Sequence, residues 1–272
     1  MHNAPTISVL MPAYNAAQYI ETSIESILQQ TFHDFELICL DDASTDNTLE
    51  ILRKLAKKEK RIRVLSNQQN LNIAASRNIL VQAAKGKYIA WQDADDLSVA
   101  TRLADQKSYL DSHPKVGIVG GYLEFFSDET TLSYRKYQAD DTVLRHTIFK
   151  YSPVAQPAAM IRRECLKEAG SYGETLSPVE DLDMSFRIGQ KWQFANLQYV
   201  VLRYRIHPKS ATHRVSRHQE IITLKTRWKY HTHPAYTVSL SDIFFNLAQL
   251  LTLYLIPPKM RLQLFNLIRN SK

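Results

Sequence analysis

The sequence predicts an α/β fold, a mostly parallel sheet flanked by helices with a helical C-terminal extension, on three observations. Over the first hundred residues, short apolar runs alternate with segments whose apolar residues recur at helical spacing, the pattern of parallel strands joined by crossover helices. Three of the four apolar runs stop at short segments rich in turn-forming, aromatic or acidic residues. Beyond residue 216 the pattern becomes helical and the charge becomes basic.

The elements follow in the order β-α-β-α-β-α-β. The first strand is Ile7 to Met11, and Ile20, Ile24, Ile27 and Leu28 mark one face of the helix after it. Phe35 to Leu40 forms the second strand, a Lys-rich helix covers Thr48 to Lys60, and Ile62 to Leu65 forms the third strand. A helix over Ile73 to Ala84 leads to the fourth strand, Tyr88 to Gln92. Residues 97–215 mix helices with irregular strands, with His113-Pro114 and Ser152-Pro153 as turns or boundaries. We divide the chain into residues 1–96 and 97–215, two halves of one domain, and a helical, basic extension over 216–272.

With 272 residues, 44% of them hydrophobic, the chain can bury the core of one large domain. Cys39 and Cys165 lie far apart in apolar surroundings, which fits neither a disulfide framework nor a metal knuckle and points to a reducing, cytoplasmic setting. No Lys or Arg precedes the short apolar run Ile7 to Met11, so no secretory signal is read. The seven glycines form neither a Gly-x-Gly-x-x-Gly nor a Gly-Lys-Ser/Thr run, which excludes a dinucleotide oxidoreductase and a P-loop kinase.

The net charge of +7 is unevenly placed. Residues 201–272 hold 12 Lys+Arg against 2 Asp+Glu, or +10, leaving 22 against 25, or −3, for residues 1–200. Because apolar residues are interleaved with these charges, an anionic membrane surface fits the extension better than nucleic acid does. Asp242 to Ile256 is apolar but short of the roughly 20 residues that span a bilayer. After Pro257-Pro258, Lys259 to Lys272 is basic and amphipathic. Both pieces suit a peripheral membrane contact; packing on the domain or pairing as a homodimer is the alternative.

In open parallel sheets ligands bind beyond the carboxyl ends of the strands, so the residues after each strand carry the functional reading. The fourth strand ends in Asp93-Ala94-Asp95-Asp96. Two carboxylates two residues apart on such a loop suit a hard cation, Mg²⁺ or Mn²⁺, that shares its shell with substrate phosphates. The alternative is that these acids cap the next helix.

The second strand ends in Asp41-Asp42-Ala43-Ser44-Thr45-Asp46, part of which suits a helix cap, while Asp42 suits acceptance of a hydrogen bond from the imide N–H of uracil. The first strand ends in Pro12-Ala13-Tyr14-Asn15, where Tyr14 offers a flat face to a nucleobase and Ala13 leaves room for close approach. A bare strand-ending turn is the alternative. In Asn70 to Asn78, small residues open a helix, and Arg77 suits a fork onto a diphosphate or a solvated surface position.

These segments, in this order, resemble glycosyltransferase family 2 with its GT-A (Rossmann-like) fold, from Ile7 to about Ser210. The resemblance implies a nucleotide-sugar-binding first half and an acceptor-binding, catalytic second half. It implies that Pro12, Ala13, Tyr14 and Asp42 bind uridine, Asp93 the ribose side, and Asp95 a metal bridging the diphosphate. Pro178 to Arg187 is similar to the family's Glu-Asp segment, with Asp181 as catalytic base and Glu180 as second choice; a helix N-terminus rich in acids is the alternative. Tyr204 to Ser210 resembles the closing motif whose histidine, His207, reaches the metal or diphosphate. Gln156 stands where relatives often carry a histidine.

The reaction implied is inverting, metal-assisted transfer from a UDP-sugar donor to a glycan or lipid-linked acceptor, with Mn²⁺ or Mg²⁺. The implied setting is bacterial surface polysaccharide or lipopolysaccharide synthesis, in the cytoplasm or on the inner face of its membrane. Two other readings are a sugar nucleotidyltransferase and a degenerate scaffold that only binds glycan. The first is disfavoured by the lack of a Gly-rich, basic loop after the first strand, the second by the intact Asp42, Asp93, Asp95 and Asp181.

Overall fold

The computed structural model describes residues 4–208, 217–257, 260, 261 and 263. The first half runs β1 (Ile7–Ala13), α1 (Ile20–Leu28), β2 (Phe35–Asp41), α2 (Thr48–Lys58), β3 (Ile62–Ser66), α3 (Asn72–Ala83), β4 (Tyr88–Trp91). The second continues β5 (Leu97–Ser98), α4 (Arg102–Ser112), β6 (Val116–Ser127), β7 (Thr130–Arg135), α5 (Asp141–Thr147), β8 (Met160–Arg162), α6 (Arg163–Ala169), α7 (Glu180–Ile188), β9 (Gln193–Arg205). Helices α8 (Arg217–Lys229) and α9 (Leu240–Leu255) follow. The four strands and three helices expected in the first half are all present, with ends displaced by no more than two residues.

The strands form one sheet in the order β3-β2-β1-β4-β8-β6-β9-β5, with β7 on β6. Strands β1 to β4 are parallel, and Val9 is flanked by Leu37 and Ala90. Two residues per pleat send Ile7, Val9 and Met11 to one face, with Ile20, Ile24, Ile27 and Leu52, and Leu10 to the other, with Ala74 and Leu80. A sheet covered on both faces needs such apolar runs, which is why the strands were readable.

The second half departs from the expected irregular strands. Its β6 and β9 have 12 and 13 residues and pair in parallel, whereas β8 runs antiparallel between β4 and β6. Shifts of register opposite Gly121 and Tyr122, where Leu197, Val200 and Leu202 face three successive residues of β6, bulge β9 and blur its alternation. Because β9 runs parallel to β6, it delivers Arg205 and the following His207 to the edge where β1, β2 and β4 end.

Helix α8 joins the domain through Tyr230, stacked on Phe186 of α7 at 4.6 Å between ring centres. Helix α9 starts at a capping box, in which Ser239 Oγ accepts from Asp242 N and the Asp242 carboxylate accepts from Ser239 N. Among the described residues no helix is long and apolar enough to cross a membrane. Most of the basic segment expected over Lys259 to Lys272 lies outside the described residues, as do Lys209 and Ser210.

Candidate active site

The ends of β1 and β2 are laced together by the polar residues that follow them. Ala13 O accepts from Asp42 N (2.8 Å), Asn15 Oδ1 accepts from Thr45 N (2.8 Å), and Ser44 Oγ accepts from Asn15 N (2.9 Å). Asn15 and Ala43 take left-handed backbone, at φ 51° and 57°, which turns both chains sharply at the sheet edge. Asp46 Oδ1 accepts from Thr48 N at 3.0 Å and so takes up the first free amide of α2, as one reading of that acidic run expected.

Asp42 is almost fully buried, and its Oδ1 accepts from Asn67 Nδ2 (2.6 Å) and Leu71 N (2.9 Å). These contacts orient the carboxylate from below. Beside it Ala13 is buried, Pro12 half-buried, and the Tyr14 ring is half exposed at the strand end.

The Asp93–Asp96 loop rests on two buried polar side chains. Gln92 Nε2 donates to the carbonyls of Asp93 (3.2 Å) and Asp96 (2.9 Å), and Gln92 Oε1 accepts from Ser98 Oγ and Arg102 Nη1. Arg102, 1% exposed, also donates to Trp91 O at 2.7 Å, placing a cation beneath the loop. The loop does not cap a helix, because β5 intervenes before α4. Instead Asp93, Asp95 and Asp96 bring carboxylate oxygens within 4.8 Å of one another.

Burial first, then the Asp95 charge, pushes the Asp93 carboxyl up to about 6. The same causes, with Asp93 added, hold Asp96 well above the usual carboxylate range. Asp96 Oδ1 accepts from Arg205 N at 2.9 Å, while Oδ2 is buried without a hydrogen-bond partner. His207 Nε2 lies 2.9 Å from Asp95 Oδ2. A dense, under-neutralised oxygen set with an orphaned buried oxygen fits a divalent cation.

The acids of α7 are treated differently. Glu180, 1% exposed, is ion-paired to Arg77, whose guanidinium lies over Trp91 and Tyr172 at 5.5 and 5.8 Å from their ring centres. Asp183 accepts from Arg187, Lys229 and Tyr230. Asp181 has no ion-pair partner among the described residues, remains partly exposed, and accepts from its neighbour's amide, Leu182 N at 2.8 Å. Burial raises its carboxyl above the usual range, against the pull of Arg77. Asp93 feels the Asp181 charge, and Arg77 acts on Glu180, Asp181 and Asp93 alike. The α7 terminus and the Asp93–Asp96 loop therefore face one crevice.

One alternative is corrected here. Arg77 is not a solvated surface arginine; it is buried and ion-paired to Glu180. Glu180 in turn is held in that pair by one oxygen, and burial raises its carboxyl above the usual range against the pull of Arg77, whereas Asp181 has no such ion pair among the described residues. Gln156 donates to Tyr172 OH at 3.0 Å and so belongs to the packing around Arg77. Sequence reading missed Gln92 and Arg102, whose signal was weak: two polar residues flanking an acidic loop. A cleft of about 510 Å³ at the opposite edge, where β6 and β9 begin, contains none of the expected site residues.

The profile of glycosyl transferase family 2 matches residues 8–170, more than half of the chain, and the protein belongs to that family. It is a glycosyltransferase with a GT-A fold, as the resemblance implied. An uncharacterised glycosyltransferase of Methanocaldococcus jannaschii is 32% identical over 250 residues, 89% of this chain and 86% of that one. An Escherichia coli protein named UDP-Glc:alpha-D-GlcNAc-diphosphoundecaprenol beta-1,3-glucosyltransferase is 28% identical over 161 residues, covering 59% and 62%. Among solved structures, residues 1–349 of Staphylococcus aureus TarS with UDP-GlcNAc align at a TM-score of 0.70 and 18% identity, covering 90% of this chain and 71% of that one. A Pyrobaculum calidifontis mannosyltransferase with GDP-Man and Mn²⁺ aligns at 0.67 and 20%, covering 93% and 71%.

Proposed function

We propose that this glycosyltransferase moves a sugar from a UDP-sugar to a glycan or lipid-linked acceptor with inversion at the anomeric carbon. The observation that carries the reading is the convergence of Tyr14, Asp42, Asp93, Asp95 and Asp181 at one sheet edge, with Asp181, among the described residues, the α7 acid that has no ion-pair partner.

The uracil ring lies against Tyr14 and Ala13, and its imide N–H donates to the oxygen of Asp42 that Asn67 and Leu71 leave open. Asp93 faces the ribose side. Asp95, with Asp96 and His207 at hand, would hold Mn²⁺ or Mg²⁺. That cation, when bound, offsets the charge that develops on the departing diphosphate. Asp181 takes the proton of the acceptor hydroxyl, whose oxygen attacks the anomeric carbon from the face opposite the nucleotide as the bond to the diphosphate breaks. Its partly desolvated carboxylate is a stronger base than one in water.

The Escherichia coli relative's name, with a UDP-sugar donor and a diphosphoundecaprenol-linked acceptor, supports this donor and acceptor class and a place in surface polysaccharide assembly. The TarS neighbour supports UDP, and the mannosyltransferase supports Mn²⁺ while offering GDP as a rival base.

The test is calorimetric titration with UDP, GDP and CDP, each with and without Mn²⁺. Mn²⁺-dependent binding of UDP alone is expected, lost in Asp95→Ala. Preference for GDP would remove the role given to Asp42, and no nucleotide binding at all would leave a scaffold that does not transfer.

A further inference from the structure

Helix α9 is docked with its polar side toward the protein and its apolar side outward. Asp242 is fully buried against Lys150, 3.3 Å away, and Asn246 and Gln249 accept from Arg227 Nη1 at 3.0 and 2.9 Å. Asn246 also donates to Phe149 O at 2.9 Å. These bonds fix the rotation of the helix. They leave Leu240, Phe244, Leu247, Leu251, Tyr254 and Leu255 on the outer stripe, with Phe244 70%, Leu251 63% and Leu255 78% exposed. Large residues in water at every turn of one helix call for a covering surface.

The surrounding charge identifies that surface. Among the described residues from 217 onward there are two acids, and both are buried in ion pairs: Asp242 with Lys150 and Glu220 with Arg261. The exposed charged residues in that stretch are Arg217, Lys225 and Lys229, all basic. Trp228, 71% exposed, stands between the last two. An exposed apolar stripe accompanied by exposed basic residues and, among the described residues from 217 onward, no exposed acid complements an anionic lipid interface. A second copy of the chain fits less well, because α9 has no exposed charge flanking the stripe to set a partner's register, and two such basic faces would repel. At 16 residues, about 24 Å, the helix lies in the interface and does not cross it.

We propose that α9, with the Lys225–Lys229 end of α8, is a docking surface for an anionic phospholipid membrane. The same layer touches the catalytic segment: Lys229 Nζ and Tyr230 OH donate to Asp183 Oδ1 at 2.9 and 2.8 Å, on the helix that begins with Glu180 and Asp181. Docking therefore holds α7 at the bilayer surface, where a lipid-linked acceptor presents its sugar. Lipid docking itself requires no transfer, so its test stands apart from the donor reading above.

The test is sedimentation of the full-length protein with extruded vesicles, one series of phosphatidylcholine and one in which phosphatidylglycerol replaces part of it. Binding to the anionic series at least about tenfold tighter than to the neutral one is expected, weakened by high salt. Leu251→Asp should release the protein, and Lys225→Glu should weaken binding several-fold, both with unchanged circular dichroism and calorimetric UDP affinity. Equal binding to both series, or retention by Leu251→Asp, would overturn the proposal. So would a dimer in light scattering that Leu251→Asp dissociates while wild-type protein ignores both vesicle series.

Discussion

The protein holds two acidic clusters near one another, and it matches most of one with basic side chains while leaving the buried acids of the other without an ion pair among the described residues. At the start of α7, Glu180 is matched by Arg77 and Asp183 by Arg187 and Lys229. In the Asp93–Asp96 loop, the buried cation below, Arg102, donates to a carbonyl, an amide oxygen and a hydroxyl, and Asp96 Oδ2 has no partner. The two are nearly alike in composition, three acids in four residues each. What separates them is where basic residues from distant elements arrive. Uncompensated charge marks the groups available to a ligand, and compensated charge marks those that hold the helix in place.

The largest expected effect tests the one uncompensated acid of α7. Asp181→Asn should lower kcat by roughly 10²–10⁴-fold, as loss of a general base does, with calorimetric donor binding retained. Equal loss of nucleotide binding would merge its role with that of the loop. Glu180→Gln should impair folding more than the chemical step, which a comparison of kcat with the unfolding midpoint would read.

Arg77→Met should destabilise by about 3–5 kcal/mol, because it strands Glu180 as a buried, unpaired charge. Denaturant unfolding of Arg77→Met, Glu180→Leu and the double variant would read it, with the double variant recovering much of the loss. If Arg77→Met were harmless to stability and cost only donor affinity, the diphosphate role would stand.

A smaller, pH-dependent effect is expected at Asp183. Burial raises its carboxyl, but hydrogen bonds from Lys229 and Tyr230 and the Arg187 charge outweigh that and hold it below the usual range. With the folded value depressed, its stabilisation is complete above the unfolded carboxylate value of about 3.9 and disappears as pH falls through the folded one. Asp183→Asn should therefore cost about 1–3 kcal/mol at pH 7 and progressively less in acid. Denaturant melts at several pH values would show whether the gap closes.

The smallest effect carries the opposite sign. Asp96 is buried, crowded by Asp93 and Asp95, and under-partnered, so Asp96→Asn should stabilise the metal-free protein by about 1 kcal/mol while weakening Mn²⁺ binding. Destabilisation in both states would make Asp96 a structural acid like Asp183.

Legibility followed the range of the interaction. The strands of the first half and the residues after them were readable, because an apolar run ending in turn-forming or acidic residues is a local statement about where a buried ladder stops. The long strands of the second half were not, since bulges in β9 broke the period that announces a strand. The pairing of Arg77 with Glu180 was not readable, because a small-residue helix start says nothing about a partner 103 positions away. Glu180 and Asp181 could not be separated by neighbours that are the same for both. The outward apolar stripe of α9 was visible as an apolar run, but its orientation was not, because Arg227 and Lys150 choose which face docks.

The sequence by itself determined the parallel α/β frame, the sheet edge where the candidate site lies, and the residue types placed there, since each depends on periodicity and on chemistry within a few positions. Only the tertiary structure decided which carboxylates keep their charge and which are matched, because a buried acid's fate depends on cations that the fold brings from far along the chain and on how completely water is excluded around them.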